Sequence, residues 1–219
     1  MPVYDHKGFS VSSIKGGYDK NFAYIIICEG DLKCVLVDAP LPLQEIIGEI
    51  PVTPDAVLLT HSHGDHTAFL NDYINKWPNI SIITGSTSLI RNRKNFIYLK
   101  DMENFKIGGL DFTIIHTPGH FPDSVCFKLK DIIFTGDTLF VGRTGRTVSK
   151  GSSIDQLYDS VYNKLFTLAK DTMIYPGHDY GNIPRINMEE NKKISPLLNA
   201  DSIEDFRKIM KRYENERIK

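Results

Sequence analysis

The sequence is poor in cysteine, with three among 219 residues. The number is odd, and Cys28, Cys34 and Cys126 each sit inside an apolar run, so a disulfide framework is excluded and the thiols read as buried hydrophobes in a reducing cytosol. Neither sign of charge dominates: 26 Lys and Arg face 27 Asp and Glu, a formal net charge of -1. Without a basic field, neither nucleic acid nor an anionic membrane is expected as a partner. No apolar run approaches the roughly 18–20 residues that a membrane span needs. The opening Met1-Pro2-Val3-Tyr4-Asp5-His6-Lys7 lacks the basic and apolar regions of an export signal, so a cytoplasmic protein is expected. Low-complexity linkers and repeats of solenoid period are missing too. What is left is the composition of an ordinary globular chain with length for one sizeable core and at most a small appendage.

Short β-branched runs punctuated by Gly, Pro and Asp fill the first two-thirds. Phe22 to Cys28 and Lys33 to Val37 predict a hairpin turning near Glu29-Gly30-Asp31. Further strands are expected at Asp55 to Leu59, Ile80 to Thr84, Leu110 to His116, Ser124 to Leu129, Ile132 to Thr135 and Thr172 to Tyr175. Helical spacing appears at Leu43 to Ile50, His66 to Trp77, Ile154 to Ala169 and Ser202 to Glu216. In the third of these, Ile154, Leu157, Val161, Leu165 and Leu168 form one apolar stripe, with Ser153 placed to cap it. Strand clusters interleaved with helices predict a layered α/β domain whose sheets are sandwiched by helices. Residues 1–198 are read as that domain, and 199–219 as a charged C-terminal helix, loosely docked.

The seven His are not scattered. His61, His63, Asp65 and His66 follow the apolar run Val57-Leu58-Leu59-Thr60; His120 follows a strand through Thr117-Pro118-Gly119. Asp137 follows Ile132-Ile133-Phe134-Thr135 through Gly136, and His178 follows Met173-Ile174-Tyr175 through Pro176-Gly177. Each time an apolar strand ends, a Gly stands at or near the turn, and a metal-ligand type comes next. Loops on rigid strand ends are where a scaffold converges distant residues. Imidazole and carboxylate suit zinc, iron or manganese, whereas a soft thiolate site would need Cys, and none lies at such a loop. Five imidazoles and two carboxylates exceed one tetrahedral shell and fit two metals sharing an Asp. Shuffling this composition would yield H-x-H-x-D-H in about one chain per thousand, judged by residue base rates. His6, expected near a frayed N-terminus, and His116, inside a strand, are background.

These motifs resemble those of the metallo-β-lactamase superfamily: Thr60-His61-Ser62-His63-Gly64-Asp65-His66, Thr117-Pro118-Gly119-His120, Thr135-Gly136-Asp137-Thr138-Leu139-Phe140 and Tyr175-Pro176-Gly177-His178-Asp179-Tyr180. The resemblance spans roughly residues 8–198, with the motifs in the family's order. It implies an αββα sandwich of two mixed sheets flanked by helices, with the metals at one sheet edge, and gives Asp38 the role of supporting the H-x-H-x-D-H loop by hydrogen bonds. A Cys in place of Asp137 would mark the better-known zinc β-lactamases, and Glu in place of the motif's second His would mark flavodiiron proteins. The closest likeness is to the short form of the glyoxalase II group, the hydroxyacylglutathione hydrolases, and to the persulfide dioxygenases, through Gly136 to Thr147 and His178-Asp179-Tyr180.

On the glyoxalase II pattern, His61, His63 and His120 would hold one divalent metal and Asp65, His66 and His178 the second, with Asp137 bridging and zinc placed ahead of iron or manganese. A hydroxide from metal-held water would cleave a small-molecule thioester such as an S-2-hydroxyacylglutathione, Asp65 would orient that hydroxide, and Arg146 and Tyr180 would contact the thiol arm. Only 41 residues follow His178, where full-length glyoxalase II has a longer helical portion that grips glutathione carboxylates, so a more open substrate groove is expected. Arg207, Lys208, Lys211 and Arg212 read as a solvated helix face, and Thr147-Val148 departs from the Thr-Asp pair common in the relatives. The alternative is a persulfide dioxygenase with a single iron on His61, His120 and Asp137; another ester or lactone hydrolase of the same fold ranks below both. The oligomeric state is left open.

Overall fold

The computed structural model describes residues 1–91 and 94–217. Two mixed sheets form its centre. The first runs β1 (Val3–His6), β2 (Phe9–Gly16), β3 (Asn21–Cys28), β4 (Cys34–Val37), β5 (Ala56–Leu58), β6 (Ser81–Gly85) and β7 (Phe96–Leu99), each beside the next. Its first four strands are antiparallel and β4 to β7 are parallel, with α1 (Leu43–Ile46) in the β4–β5 connection and α2 (Gly64–Thr67) and α3 (Leu70–Lys76) in the β5–β6 connection. The second sheet uses β8 (Asn104–Ile107), β9 (Leu110–His116), β10 (Val125–Leu129) and β11 (Ile132–Gly136). A small ribbon, β12 (Leu139–Phe140) with β13 (Arg143–Thr144), follows; β14 (Met173–Pro176) then joins β11 in parallel, and β15 (Ile186–Asn187) completes the edge. α4 (Ile154–Tyr158), α5 (Met188–Lys193) and α6 (Ile203–Arg217) cover its outer face.

The period-2 alternation of strands sorts side chains between two layers. In β3, Tyr24, Ile26 and Cys28 enter the core between the sheets with Phe112, Phe127 and Phe134, while Ala23 and Ile25 face the helix layer with Leu41, Ile46 and Tyr73. On the other side, Ile115, Cys126, Ile133 and Ile174 meet Leu157, Val161, Leu165, Phe206 and Met210. The order is helix, sheet, sheet, helix, as the motif resemblance implied.

Most expected strands fall within a residue or two of those observed. β1 and β2 are additions, carried by Phe9 and Val11 at the core while Ser10 and Ser12 stay half-buried. The expected helix at His66 to Trp77 is two pieces broken at Ala68–Phe69. The stripe from Ile154 starts where Ser153 accepts a hydrogen bond from the Gln156 amide, at 3.3 Å, then widens into π-helical turns over Asp159–Lys164. Two expectations are corrected. His6 is not frayed: it pairs within β1, stacks on Phe9 at 4.8 Å, and its Nε2 lies 3.0 Å from the Tyr175 hydroxyl. Nor is the last helix loosely docked, because Phe206 and Met210 are fully buried beside Leu157 and Arg207 forks onto Asp155 at 2.8 and 2.7 Å. Lys208, Lys211 and Arg212 are exposed, as a solvated face requires.

Candidate metal centre

The parallel arrangement of β4 and β5 brings the chain after both strands to one edge, where Asp38 and Thr60 to His66 meet. Asp38, at φ 59, adopts a left-handed backbone unusual for a residue with a Cβ. Its Oδ1 accepts the Thr60 amide at 2.8 Å, both oxygens lie within reach of the Thr60 hydroxyl, and Oδ2 lies 2.7 Å from His66 Nδ1. These contacts tie Asp38 to Thr60 and His66 of the histidine loop.

From the second sheet, the loops after β9, β11 and β14 bring His120, Asp137 and His178 to the same place. Nε2 of His61 and Nε2 of His120 each lie 3.0 Å from His63 Nδ1. His66 Nε2 is 3.2 Å from His178 Nε2, which is 3.3 Å from Asp65 Oδ2. Between these groups sits Asp137, with Oδ1 3.1 Å from His66 Nε2 and Oδ2 3.2 Å from His178 Nε2 and 3.6 Å from His120 Nε2. Among the described residues, three sets form in each of which the ligand atoms lie within 4.8 Å of one another: His61, His63 and His120; His61, His66 and Asp137; Asp65, His66 and His178. Gly177 makes room for this, since a Cβ there would stand 2.5 Å from Asp137 Oδ1 and 2.8 Å from His66 Cε1.

The outward nitrogens decide the chemistry of the inward ones. His120 Nδ1–H donates to the Arg146 carbonyl and His178 Nδ1–H to the Asp19 carbonyl, both at 2.8 Å. Carbonyls only accept, so these nitrogens carry protons, and Nε2 of each ring, once it is neutral, presents a lone pair inward. Asp38 fixes His66 in the same sense. His61 Nδ1 lies 3.1 Å from the Thr60 hydroxyl, which itself donates to Asp38. Lone pairs and carboxylate oxygens therefore face each other at about 3 Å, an arrangement that repels unless positive charge lies among them. Asp137 Oδ1 is buried and receives no hydrogen bond. A donor set of imidazole and carboxylate around an orphaned buried oxygen fits divalent metal ions such as zinc, iron or manganese.

Ionisation points the same way. Burial above all pushes His61 well down and His63 to about 4, so both rings stay neutral and able to ligate. Burial opposes charge on Asp137 and Asp65 also, yet His66 and His178 hold both carboxyls below their usual range. In return, and against the cost of burial, Asp137 raises His66 and brings His178 to about 9. The two carboxylates are matched by protons on those rings or by metal ions in their place.

Tyr180 and Arg146, the expected substrate contacts, lie beside the cluster. Tyr180 stacks flat on His178, centroids 4.8 Å apart at 2°, and its hydroxyl donates to the Asp19 carboxylate. Arg146 contributes its carbonyl to His120, and its side chain is exposed. His116 lies outside the cluster, donating from Nε2 to the Leu99 carbonyl at 3.0 Å. Sequence reasoning missed Asn21, whose Nδ2 donates to Asp65 Oδ2 at 3.0 Å, and Phe121, whose ring centroid lies 4.0 Å from that of His63. Asn21 carries no motif; it arrives through pairing of the β2–β3 turn with the His178 loop, where Phe22 N–H donates to the Gly177 carbonyl.

The family model described as the metallo-beta-lactamase superfamily matches residues 17–178. The chain is 30% identical over 191 residues to the probable polyketide biosynthesis zinc-dependent hydrolase BaeB of Bacillus velezensis, covering 85% of each chain. It is 33% identical over 171 residues to a hydroxyacylglutathione hydrolase of Francisella tularensis subsp. novicida, covering 75% of this chain and 66% of that protein, just under two-thirds of its length. Among solved structures it is similar to ETHE1 from Myxococcus xanthus, with a TM-score of 0.81, 30% identity, and 92% and 89% of the two chains covered.

Proposed function

The chain belongs to the metallo-beta-lactamase superfamily, and from that membership and the geometry of its site we propose that it is a metal-dependent thioester hydrolase of glyoxalase II type, cleaving an S-2-hydroxyacylglutathione or a similar small thioester. The observation that carries this reading is the buried Asp137, whose Oδ1 accepts no hydrogen bond although it lies 3.1 Å from His66 Nε2, at the junction of ligand sets drawn from His61, His63, Asp65, His66, His120 and His178. The hydroxyacylglutathione hydrolase relative supports the substrate class, and the zinc-dependent relative supports zinc.

Two divalent ions bound there, one on His61, His63 and His120 and one on Asp65, His66 and His178 with Asp137 shared, would make water acidic near neutral pH and offset charge on a carbonyl oxygen. In hydrolysis, hydroxide adds to the thioester carbonyl carbon and the C–S bond breaks. The thiolate leaves, and acid and thiol result. Asp65, held by Asn21, orients the attacking water. Asp38, through Thr60 and His66, keeps the histidine loop in one arrangement, so little reorganisation accompanies the reaction. Phe121 forms an apolar wall against His63, and the exposed Arg146 side chain and the Tyr180 ring are assigned to the thiol arm of the substrate.

Purified protein should hydrolyse an S-2-hydroxyacylglutathione, lose activity to a chelator, and regain it with zinc, iron or manganese. No thioesterase activity with any of the three contradicts the reading. The competing reading, a persulfide dioxygenase with one iron on His61, His120 and Asp137, draws on the 3.6 Å approach of His120 Nε2 to Asp137 Oδ2. It requires oxygen uptake with glutathione persulfide, present with iron and absent with zinc.

A further inference from the structure

Helix α6, outside the matched residues 17–178, reaches the loop beside His120 through the side chains of Glu214 and Met210. Phe206, Met210 and Glu214 recur at four-residue steps and so share one face of the helix. The first two are buried in the core beside Leu157, and the Arg207–Asp155 fork ties the helix to α4. Glu214 is thereby held over the segment after β13. Its Oε1 accepts two hydrogen bonds from Thr147, from the backbone N–H at 2.6 Å and from the hydroxyl at 2.8 Å. Bonds to a carboxylate are the stronger kind.

That segment bears directly on His120. The carbonyl of Arg146, adjacent to Thr147, accepts the His120 Nδ1–H at 2.8 Å. Gly145 lies flat on the ring, for a Cβ there would stand 2.6 Å from His120 Nδ1 and 2.1 Å from the Asp137 carbonyl. Its other end is fastened by the β12–β13 ribbon and by the Thr144 hydroxyl against Met210 Sδ, at 3.8 Å. The loop that orients His120 is thus anchored to α6 on both sides of Gly145.

We propose that Glu214 is a positioning residue for His120: by clamping Thr147 it fixes the Arg146 carbonyl, hence the proton on Nδ1 and the direction of the Nε2 lone pair. This rests on the reading of His120 as a metal ligand. Without the clamp the carbonyl is free to shift, and the ring loses the acceptor that holds it in its ligating form.

The test is chelator competition on the chain loaded with zinc, resolving two affinities; His120→Ala identifies which belongs to the His120 subsite. Glu214→Ala should weaken that affinity about tenfold, the low end for residues that support a metal ligand, and leave the other within about twofold. Glu214→Gln, which keeps an acceptor oxygen, should restore the native value. Two unchanged affinities, or a parallel fall in both, overturn the proposal, since a merely structural helix would not single out one subsite. If Glu214→Ala fails to fold, Thr147→Val removes only the hydroxyl bond and should weaken the same affinity about threefold, a smaller share of the same effect; no change there overturns it equally. A native chain that takes up no metal overturns this inference and the proposed function together, whereas two native sites indifferent to Glu214 overturn this inference alone.

Discussion

Asp38 Oδ2 lies 2.7 Å from His66 Nδ1, with both side chains buried, so one carboxylate holds the histidine loop from beneath. Asp38→Asn tolerates the left-handed backbone but removes the charge that makes His66 a better ligand. It should weaken metal affinity about tenfold, and Asp38→Ala, which also frees the Thr60 amide and hydroxyl, by up to about a hundredfold. Chelator competition reads both values; native affinity in the alanine variant would show that Asp38 does not support the site.

Protons and metal compete for the same nitrogens, which sets a pH dependence. In protein stripped of metal, Asp137 brings His178 against burial to about 9, from an ordinary value of 6.5. A raised histidine stabilises the fold fully below its unfolded pKa and loses that contribution as pH rises through the folded one. Stripped protein should therefore lose thermal stability between pH 6.5 and about 9, a window fixed by His178 and reinforced by His66. With zinc present the same window should be level. Melting curves across it decide the matter, and a level curve for stripped protein would be the wrong outcome.

Burial pushes the thiols of Cys34 and Cys126 up to about 12. At pH 8 neither offers thiolate, so iodoacetamide should label them only after denaturation. Mass spectrometry of intact, folded protein should find both unmodified; rapid labelling at either would contradict its place in the core.

Phe206 is fully buried against Leu157, so Phe206→Ala should cost about 3–5 kcal/mol in urea unfolding, the range for emptying a core aromatic site. A cost below about 1 kcal/mol, in the range of surface substitutions, would restore the picture of a loose terminal helix.

What could be read from the sequence follows from how local each signal is. β9, expected at Leu110 to His116, forms over those residues, because its apolar run is bounded by Gly109 and Thr117-Pro118. β2 escaped notice because Ser10, Ser12 and Ser13 dilute its alternation, and its strand state depends on pairing with β3. The π-helical turns at Asp159–Lys164 have no pattern of their own. At the site, the residues converging on Asp137 stood in short motifs at strand ends, where spacing is visible. Asn21 and Asp19 reach the centre, and Glu214 the loop beside His120, through sheet pairing or helix docking, which link residues far apart in the chain. The basic run on α6 was read by charge, but Arg207 is committed to Asp155 and the helix matters through Glu214.

The central claim is a two-metal site sharing Asp137. Elemental analysis of the purified chain after dialysis, with Asp137→Ala beside it, tests it most directly. The account predicts about two equivalents of zinc, iron or manganese per native chain and loss of both in the variant. One equivalent, or none, in the native chain would contradict it.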